Sequence, residues 1–170
     1  MLAYQPRRLC KTTPGWKISQ GLFSPKECSG LAPSIGPREV PWSDPNARWL
    51  FDRLSPPVAS WNEEFGFELF GFETLRIAVY PEGPPTAWRT GFGAGKASEY
   101  KIGVLAALCT AAGGAVGRVE FFANEKQSHV VELGAGDAVV WPAWMQHRIR
   151  ACAKGPLWTL EAWVLGPPFR

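Results

Sequence analysis

The stretch 134-GAGDAVVWPAWMQHRIRACAKGPLWTLEAWVLGPPFR-170 decides how this chain is read. It opens on a Gly-Asp turn and continues as three short β-rich runs, 138–141, 147–152 and 158–165, with Pro and Gly between them. Strands this short, joined by turns, belong to an antiparallel body and not to a helical bundle.

Upstream the same texture extends back to Phe65, with strands expected over 67–80, 100–110, 118–123 and 129–133. Before that point the pattern changes. Ser24-Pro25-Lys26-Glu27 is a helix start, because Ser can cap, Pro suits the first helical position and Glu27 can close a capping box. Gly30 and Pro33 keep that helix short. Residues 33–45 carry Pro33, Pro37, Pro41 and Pro45 and read as a loop. From Asn46 a second helix is expected, with Trp49, Leu50 and Leu54 as its apolar stripe. Pro56-Pro57 should interrupt it, leaving a further turn or two over 58–64. A first strand is expected near 16–18. The resulting fold class is α+β and mostly β: two or three short N-terminal helices followed by an antiparallel sandwich or barrel. One domain spans 1–170, divided into an arm (1–15), a strand and helices (16–64) and a β body (65–170).

Composition agrees with this and removes several function classes. Hydrophobic residues at 46% against 19% charged can fill a core, so global disorder is excluded. Eighteen Gly and 16 Pro fit many turns. A net charge of +3 without a basic stripe argues against a nucleic-acid partner. No apolar run suits a membrane span, and MLAYQPRRLC lacks the apolar segment of a secretory signal, so a cytoplasmic location is expected. Cys10, Cys28, Cys109 and Cys152 show no CxxC pair, which favours reduced thiols over a zinc cage. The chain has nine Trp but only two His, so aromatic surface is plentiful while metal-ligand chemistry is scarce.

The C-terminal stretch resembles the prolyl-4-hydroxylase-like bacterial members of the iron(II)/2-oxoglutarate dioxygenase superfamily. The likeness rests on the Gly-Asp turn, the apolar strand, Pro142, His147 and the terminal Trp-Val-x-Gly-Pro. It extends back through WNEEFGFELFGFETLRIAVY to FSPKEC. It implies a double-stranded β-helix, or jelly roll, with a pocket between its sheets. That chemistry needs a 2-His-1-carboxylate triad with open positions on iron. The resemblance places the family's Trp-His-x-Asp on Trp88-Arg89-Thr90-Gly91, so Arg89 stands for the first His and Gly91 for the Asp. His147 matches the distal His. Leu157 stands where an Arg would grip the cosubstrate, and Thr159 keeps a hydroxyl. A guanidinium about 4 Å from a dication repels it by roughly 8 kcal/mol at an effective dielectric near 20. No metal and no cofactor are therefore expected. Halogenases of the superfamily carry Gly or Ala for the carboxylate with halide in the gap, but they keep both histidines.

Strand alternation then suggests what faces the pocket. Tyr80 brings Arg76 to its face, Thr159 brings Glu161 and Trp163, and His147 leaves Arg148 and Arg150 outward. The expected catalytic set is Glu161, His147, Arg89 and Arg76. Tyr80, Trp88, Trp141, Trp144, Leu157, Thr159 and Trp163 are expected to contact substrate. Glu161 or His147 would move a proton, and Arg89 or Arg76 would stabilise developing negative charge. These parts suit a non-oxidative cyclase, isomerase or lyase acting on a hydrophobic small molecule in specialised metabolism. Two alternatives stay open: a catalytically silent homologue that binds a ligand or a protein, and an oxygenase with unorthodox ligands. Blander roles also stand beside the catalytic ones. Glu161 with Arg76 can be a structural ion pair, His147 a remnant, Arg89 a solvent-facing side chain, and the Trp residues packing. The partner expected is a hydrophobic small-molecule substrate, with no nucleic acid and no membrane, and a homodimer is left open. Residues 91–98 superficially suggest a phosphate loop, but Lys96 is followed by Ala97 and the required spacing is missing.

Overall fold

The capping box at Ser24 forms as its residues suggest. Glu27 Oε2 accepts the Ser24 backbone N–H at 2.7 Å, and the Glu27 N–H donates to Ser24 Oγ at 3.3 Å. In the computed structural model, which describes residues 15–31, 36–108, 117–124, 127–151 and 155–168, this box opens helix α1 (Pro25–Leu31). The expected arm lies almost wholly outside the described residues, as do Cys10, Cys109 and Cys152. Arg53 of α2 (Arg48–Phe65) ties the two helices together, donating to Glu27 Oε1 and to the Leu22 carbonyl, each at 2.8 Å.

Helix α2 corrects two expectations. It is one helix of 18 residues, neither short nor broken, with Pro56 and Pro57 inside it. Both prolines sit on its outer side, between Leu54 and the next buried position, Val58, so the carbonyls that lose an N–H partner lie where water can reach. The buried stripe is Leu50, Phe51, Leu54, Val58 and Trp61, while Trp49 is 37% exposed. Gly66 ends the helix in the left-handed region at φ 65°, returning its N–H to Asn62.

The strands are β1 (Lys17–Ser19), β2 (Arg38–Val40), β3 (Gly71–Phe72), β4 (Leu75–Tyr80), β5 (Tyr100–Leu108), β6 (Gly117–Asn124), β7 (Gln127–Leu133), β8 (Ala138–Pro142), β9 (His147–Arg150) and β10 (Leu157–Leu165). They form two antiparallel sheets. The larger has the order β1-β8-β5-β10-β4-β2, with β3 also on β10, and the smaller is β7-β6-β9. An isolated bridge between Arg89 and His147 adds the segment around Arg89 beside β9. The expected strand over 67–80 is two strands. The expected loop over 33–45 hides β2, an edge strand between Pro37 and Pro41, which an edge tolerates because one side of its backbone needs no partner.

Alternation along β4, β5 and β10 divides the core. Ile77, Val104, Ala106 and Leu160 turn toward the helices, where Phe51, Leu54 and Trp61 pack on them. Leu105, Ala107 and Leu157 turn toward the smaller sheet and meet Val119, Phe121, Leu133 and Ile149. The Gly-Asp turn fastens this arrangement. Asp137 accepts the Gly134 and Gly21 N–H groups at 2.8 Å each, while the Gly136 carbonyl accepts the Phe23 N–H and the Gly136 N–H donates to the Ala107 carbonyl. The result is mostly β, a jelly roll whose second core opens into a cavity. Among the described residues no helix is long and apolar enough to cross a membrane.

Candidate functional site

Strand β10 lies between β4 and β5, and its register sets Glu161 opposite Arg76, Thr159 opposite Ala78 and Leu157 opposite Tyr80. Glu161 is thereby surrounded. Tyr80 donates its hydroxyl to Glu161 Oε1 at 2.5 Å, and Thr159 donates to the same oxygen at 2.9 Å. Arg89 Nη2 donates to the Tyr80 oxygen at 3.1 Å. The second carboxylate oxygen, Oε2, stands 3.9 Å from both Arg76 Nη2 and Arg89 Nη2. Oε1 is thus occupied by two neutral donors, while Oε2 faces two guanidiniums at the outer limit of ion pairing. Arg76 and Arg89 are exposed, so water screens both pairs and little stability comes from them. Burial pushes the Tyr80 phenol up to about 12, with the Glu161 charge adding to it, so Tyr80 is a neutral donor.

His147 lies deeper, only 1% exposed. Its Nδ1 stands 3.1 Å from the Met145 carbonyl, which can only accept, so Nδ1 carries the hydrogen and Nε2 the lone pair. The ring centroids of Trp141 and Trp163 are 4.9 and 6.2 Å away. Burial lowers the imidazole, the Met145 hydrogen bond opposes it and the Arg89 charge adds to it, leaving the group at about 4. At neutral pH His147 is an uncharged acceptor.

Both residues face one cavity of about 590 Å³, a size suited to a small organic ligand. Arg76, Arg89, Trp141, His147, Glu161 and Trp163 line it, so six of the expected site residues share one space. Tyr80 and Thr159 reach it through Glu161. Sequence reasoning missed Glu39, Glu73, Lys96 and Tyr100, which also line the cavity. Tyr100 donates to Glu73 at 2.7 Å, and Lys96 pairs with the same carboxylate. Glu39 stands opposite Arg76 through the pairing of β2 with β4. Only the proline-flanked edge strand carried that last contact, and nothing in its composition marked it.

Three expected contacts lie elsewhere. Trp88 is turned away from Arg89 by the alternation of an extended segment and packs on Phe122, with Arg148 over its ring at 4.5 Å. Trp144 sits against Phe65 and Phe67 at the end of α2, 39% exposed. Leu157 is wholly buried in the core between the sheets. His129, the other histidine, lies against Trp16 and not at the cavity.

The architecture superposes on known enzymes. It matches a prolyl-4-hydroxylase from Pseudomonas putida with a TM-score of 0.70 at 15% identity, over 91% of this chain and 94% of that one. A 2OG-Fe(II) oxygenase family oxidoreductase from Burkholderia pseudomallei matches with a TM-score of 0.63 at 12% identity, over 92% and 88% of the two chains. The fold is that of the iron(II)/2-oxoglutarate oxygenases. The alpha-ketoglutarate-dependent epimerase SnoN from nogalamycin biosynthesis shares it, with a TM-score of 0.53 at 15% identity, over 89% of this chain and 78% of that one. No family model and no curated protein matches the chain.

On this oxygenase fold the ligand positions do not fit iron. Backbone bonds of 3.0 and 2.9 Å hold Arg89 beside His147. A guanidinium has no lone pair to offer a metal, and Gly91 has no side chain. Only the His147 imidazole remains as a donor. Among the described residues no three His, Cys, Asp or Glu side chains gather to hold an ion. Leu157, which the sequence resemblance sets at the position of a cosubstrate-gripping Arg, is buried and brings no charge.

Proposed function

We propose that this chain is a metal-independent, non-oxidative enzyme of the cyclase, isomerase or lyase type, cytoplasmic, acting on a hydrophobic small molecule of specialised metabolism. The observation that carries this reading is Glu161. One carboxylate oxygen is held in place by Tyr80 and Thr159, and the other is directed at a cavity that also presents Arg76, Arg89 and two indoles. In the proposed reaction Oε2 removes a proton from substrate carbon. The guanidinium N–H groups of Arg89 and Arg76 take up the negative charge that develops on an adjacent oxygen. The proton then returns from Glu161 at another carbon, giving an isomer; or the carbanion adds to an electrophilic double bond of the same molecule and closes a ring, the proton going to the atom that receives the displaced electron pair; or the carbanion pair forms a double bond and expels a leaving group, which takes the proton. His147 Nε2 accepts a hydrogen bond from substrate and orients it, and Trp141 and Trp163 pack on its apolar body.

The test is comparative mass spectrometry on metabolite extracts incubated with protein in the presence of a chelator. A product of unchanged mass, or of mass lowered by a small leaving group, is expected. It should be formed without iron and be lost in Glu161→Gln. Consumption that requires iron and 2-oxoglutarate and releases succinate would return the oxygenase reading. The saturation of Oε1 by two donors favours a second reading, a binding module. That reading predicts a metabolite captured unchanged, and captured equally by Glu161→Gln.

A further inference from the structure

Two groups at the inner end of the cavity have no hydrogen-bond partner among the described residues, and they complement each other. Trp141 on β8 is 3% exposed, and its Nε1–H is buried without an acceptor. His147 on β9 gives its Nδ1–H to the Met145 carbonyl, and its Nε2 lone pair accepts from no described residue. Both residues line the cavity, with ring centroids 4.9 Å apart and planes tilted by 56°. The donor and the acceptor nevertheless do not bond to each other. The indole is held where it is by the rings of Phe121 and Trp163, with centroids 5.7 and 6.1 Å away. Its Nε1 edge leans over β5 where Gly103 lacks a side chain, since a Cβ there would stand 2.6 Å from Cε2. A buried donor and a buried acceptor left apart each cost free energy, so the pair calls for a group that serves both.

We infer that the inner end of the cavity is a hydroxyl site, where a ligand O–H donates to His147 Nε2 while its oxygen accepts from Trp141 Nε1–H. A hydroxyl does both through one atom. A carboxylate or an ether has no hydrogen for Nε2, and an ammonium group has no lone pair for the indole. The charges of the lining point the same way. Glu39, Glu73 and Glu161 are matched by Arg76, Arg89 and Lys96, and His147 is uncharged, so these groups leave no net charge for an ionic ligand to neutralise. The ligand is an uncharged molecule that carries a hydroxyl on its apolar end, between the indoles and the imidazole. This names a substrate class for the proposed enzyme and rests on reading the cavity as its substrate site, but not on proton transfer at Glu161.

Titration calorimetry on the full chain at neutral pH tests it with three probes of one shape: 2-naphthol, its methyl ether and 2-naphthoate. The naphthol should bind about tenfold tighter than the other two. In His147→Phe that advantage over the ether should vanish while the ether still binds. Equal affinity for naphthol and ether overturns the inference, as does an advantage that survives in His147→Phe. Tightest binding of naphthoate, or binding of none of the three, overturns it too. Should His147→Phe fail to fold, nitrogen NMR on the wild type decides. Naphthol should shift both the His147 Nε2 and the Trp141 indole resonances, whereas the ether should leave Nε2 where it was. A naphthol that leaves either resonance unmoved overturns the inference. Binding is read here without turnover, so a failed hydroxyl preference and a failed reaction assay are separate results.

Discussion

Tyr80 on β4 donates its hydroxyl to Glu161 on β10 across 2.5 Å, while the same phenol oxygen accepts from Arg89. A carboxylate, a phenol and a guanidinium drawn from three segments of the chain thus form one chain of hydrogen bonds at the cavity. The charges on its two ends act on Tyr80 in opposite directions.

That relationship fixes the titration of the phenol. Burial and then the Glu161 charge hold Tyr80 at about 12, with Arg89 working against them. Glu161→Gln removes the charge, and Tyr80 should ionise earlier. Tyr100, held at about 12 by burial and by its bond to Glu73, should not move. Tyrosinate absorbance followed to about pH 12 reads both groups. Because the folded phenol keeps its proton longer than the unfolded one, the stability it contributes is full below pH about 10 and lost as pH rises through about 12.

His147 gives the opposite dependence. The folded imidazole accepts a proton only near pH 4, the unfolded one already near about 6.5. Its contribution to stability is therefore complete above pH about 6.5 and falls as pH drops toward about 4, by roughly 3 kcal/mol in all. Denaturant unfolding across that window should show the slope in the wild type and a flatter one in His147→Gln. Arg89→Met removes a positive charge that lowers the imidazole, so its NMR titration should move upward.

Arg76 separates a structural ion pair from a working group. Its contact with Glu161 is 3.9 Å long and its side chain is 53% exposed. Arg76→Met should leave stability within about 0.5 kcal/mol. If Arg76 stabilises developing charge, product formation should fall by a factor on the order of 100. A large loss of stability with unchanged turnover would assign it a structural role.

Helix α2 carries a reserve of stability. Pro56 has no N–H to donate to the carbonyl four residues earlier, at Asp52, and both residues are exposed. Pro56→Ala restores that bond without disturbing the buried stripe, and it should stabilise the protein by about 1–3 kcal/mol. Thermal unfolding reads the change, and a lowered midpoint would show that the pyrrolidine ring packs usefully.

Local chemistry made much of the fold legible. The Ser24–Glu27 box, the Gly-Asp turn and most of the short runs of β residues announce themselves within a few positions of chain, the exceptions being the run over 67–80, which divides in two, and β2, which lay in an expected loop. Period-two alternation likewise put Glu161, Thr159 and Arg76 on one face, because facing within a strand is decided by backbone geometry alone. Pro56-Pro57 misled for the opposite reason. A local rule says a helix breaks there, and the packing of Leu54, Val58 and Trp61 outweighs it.

The site itself divides the same way. Which residue types a cavity would hold, and the resemblance that sets Arg89, Gly91 and Leu157 where the oxygenase pattern has a His, an Asp and an Arg, are written in the order of the residues. Only tertiary structure joined Glu39, Glu73 and Lys96 to that cavity, turned Trp88 and Trp144 from it, and laid the Trp163 ring against Gly91. Each of these depends on the register between segments far apart in the chain. Register is chosen by the summed fit of many side chains, in which a single missing Cβ admits an indole, and no short stretch of sequence carries that sum.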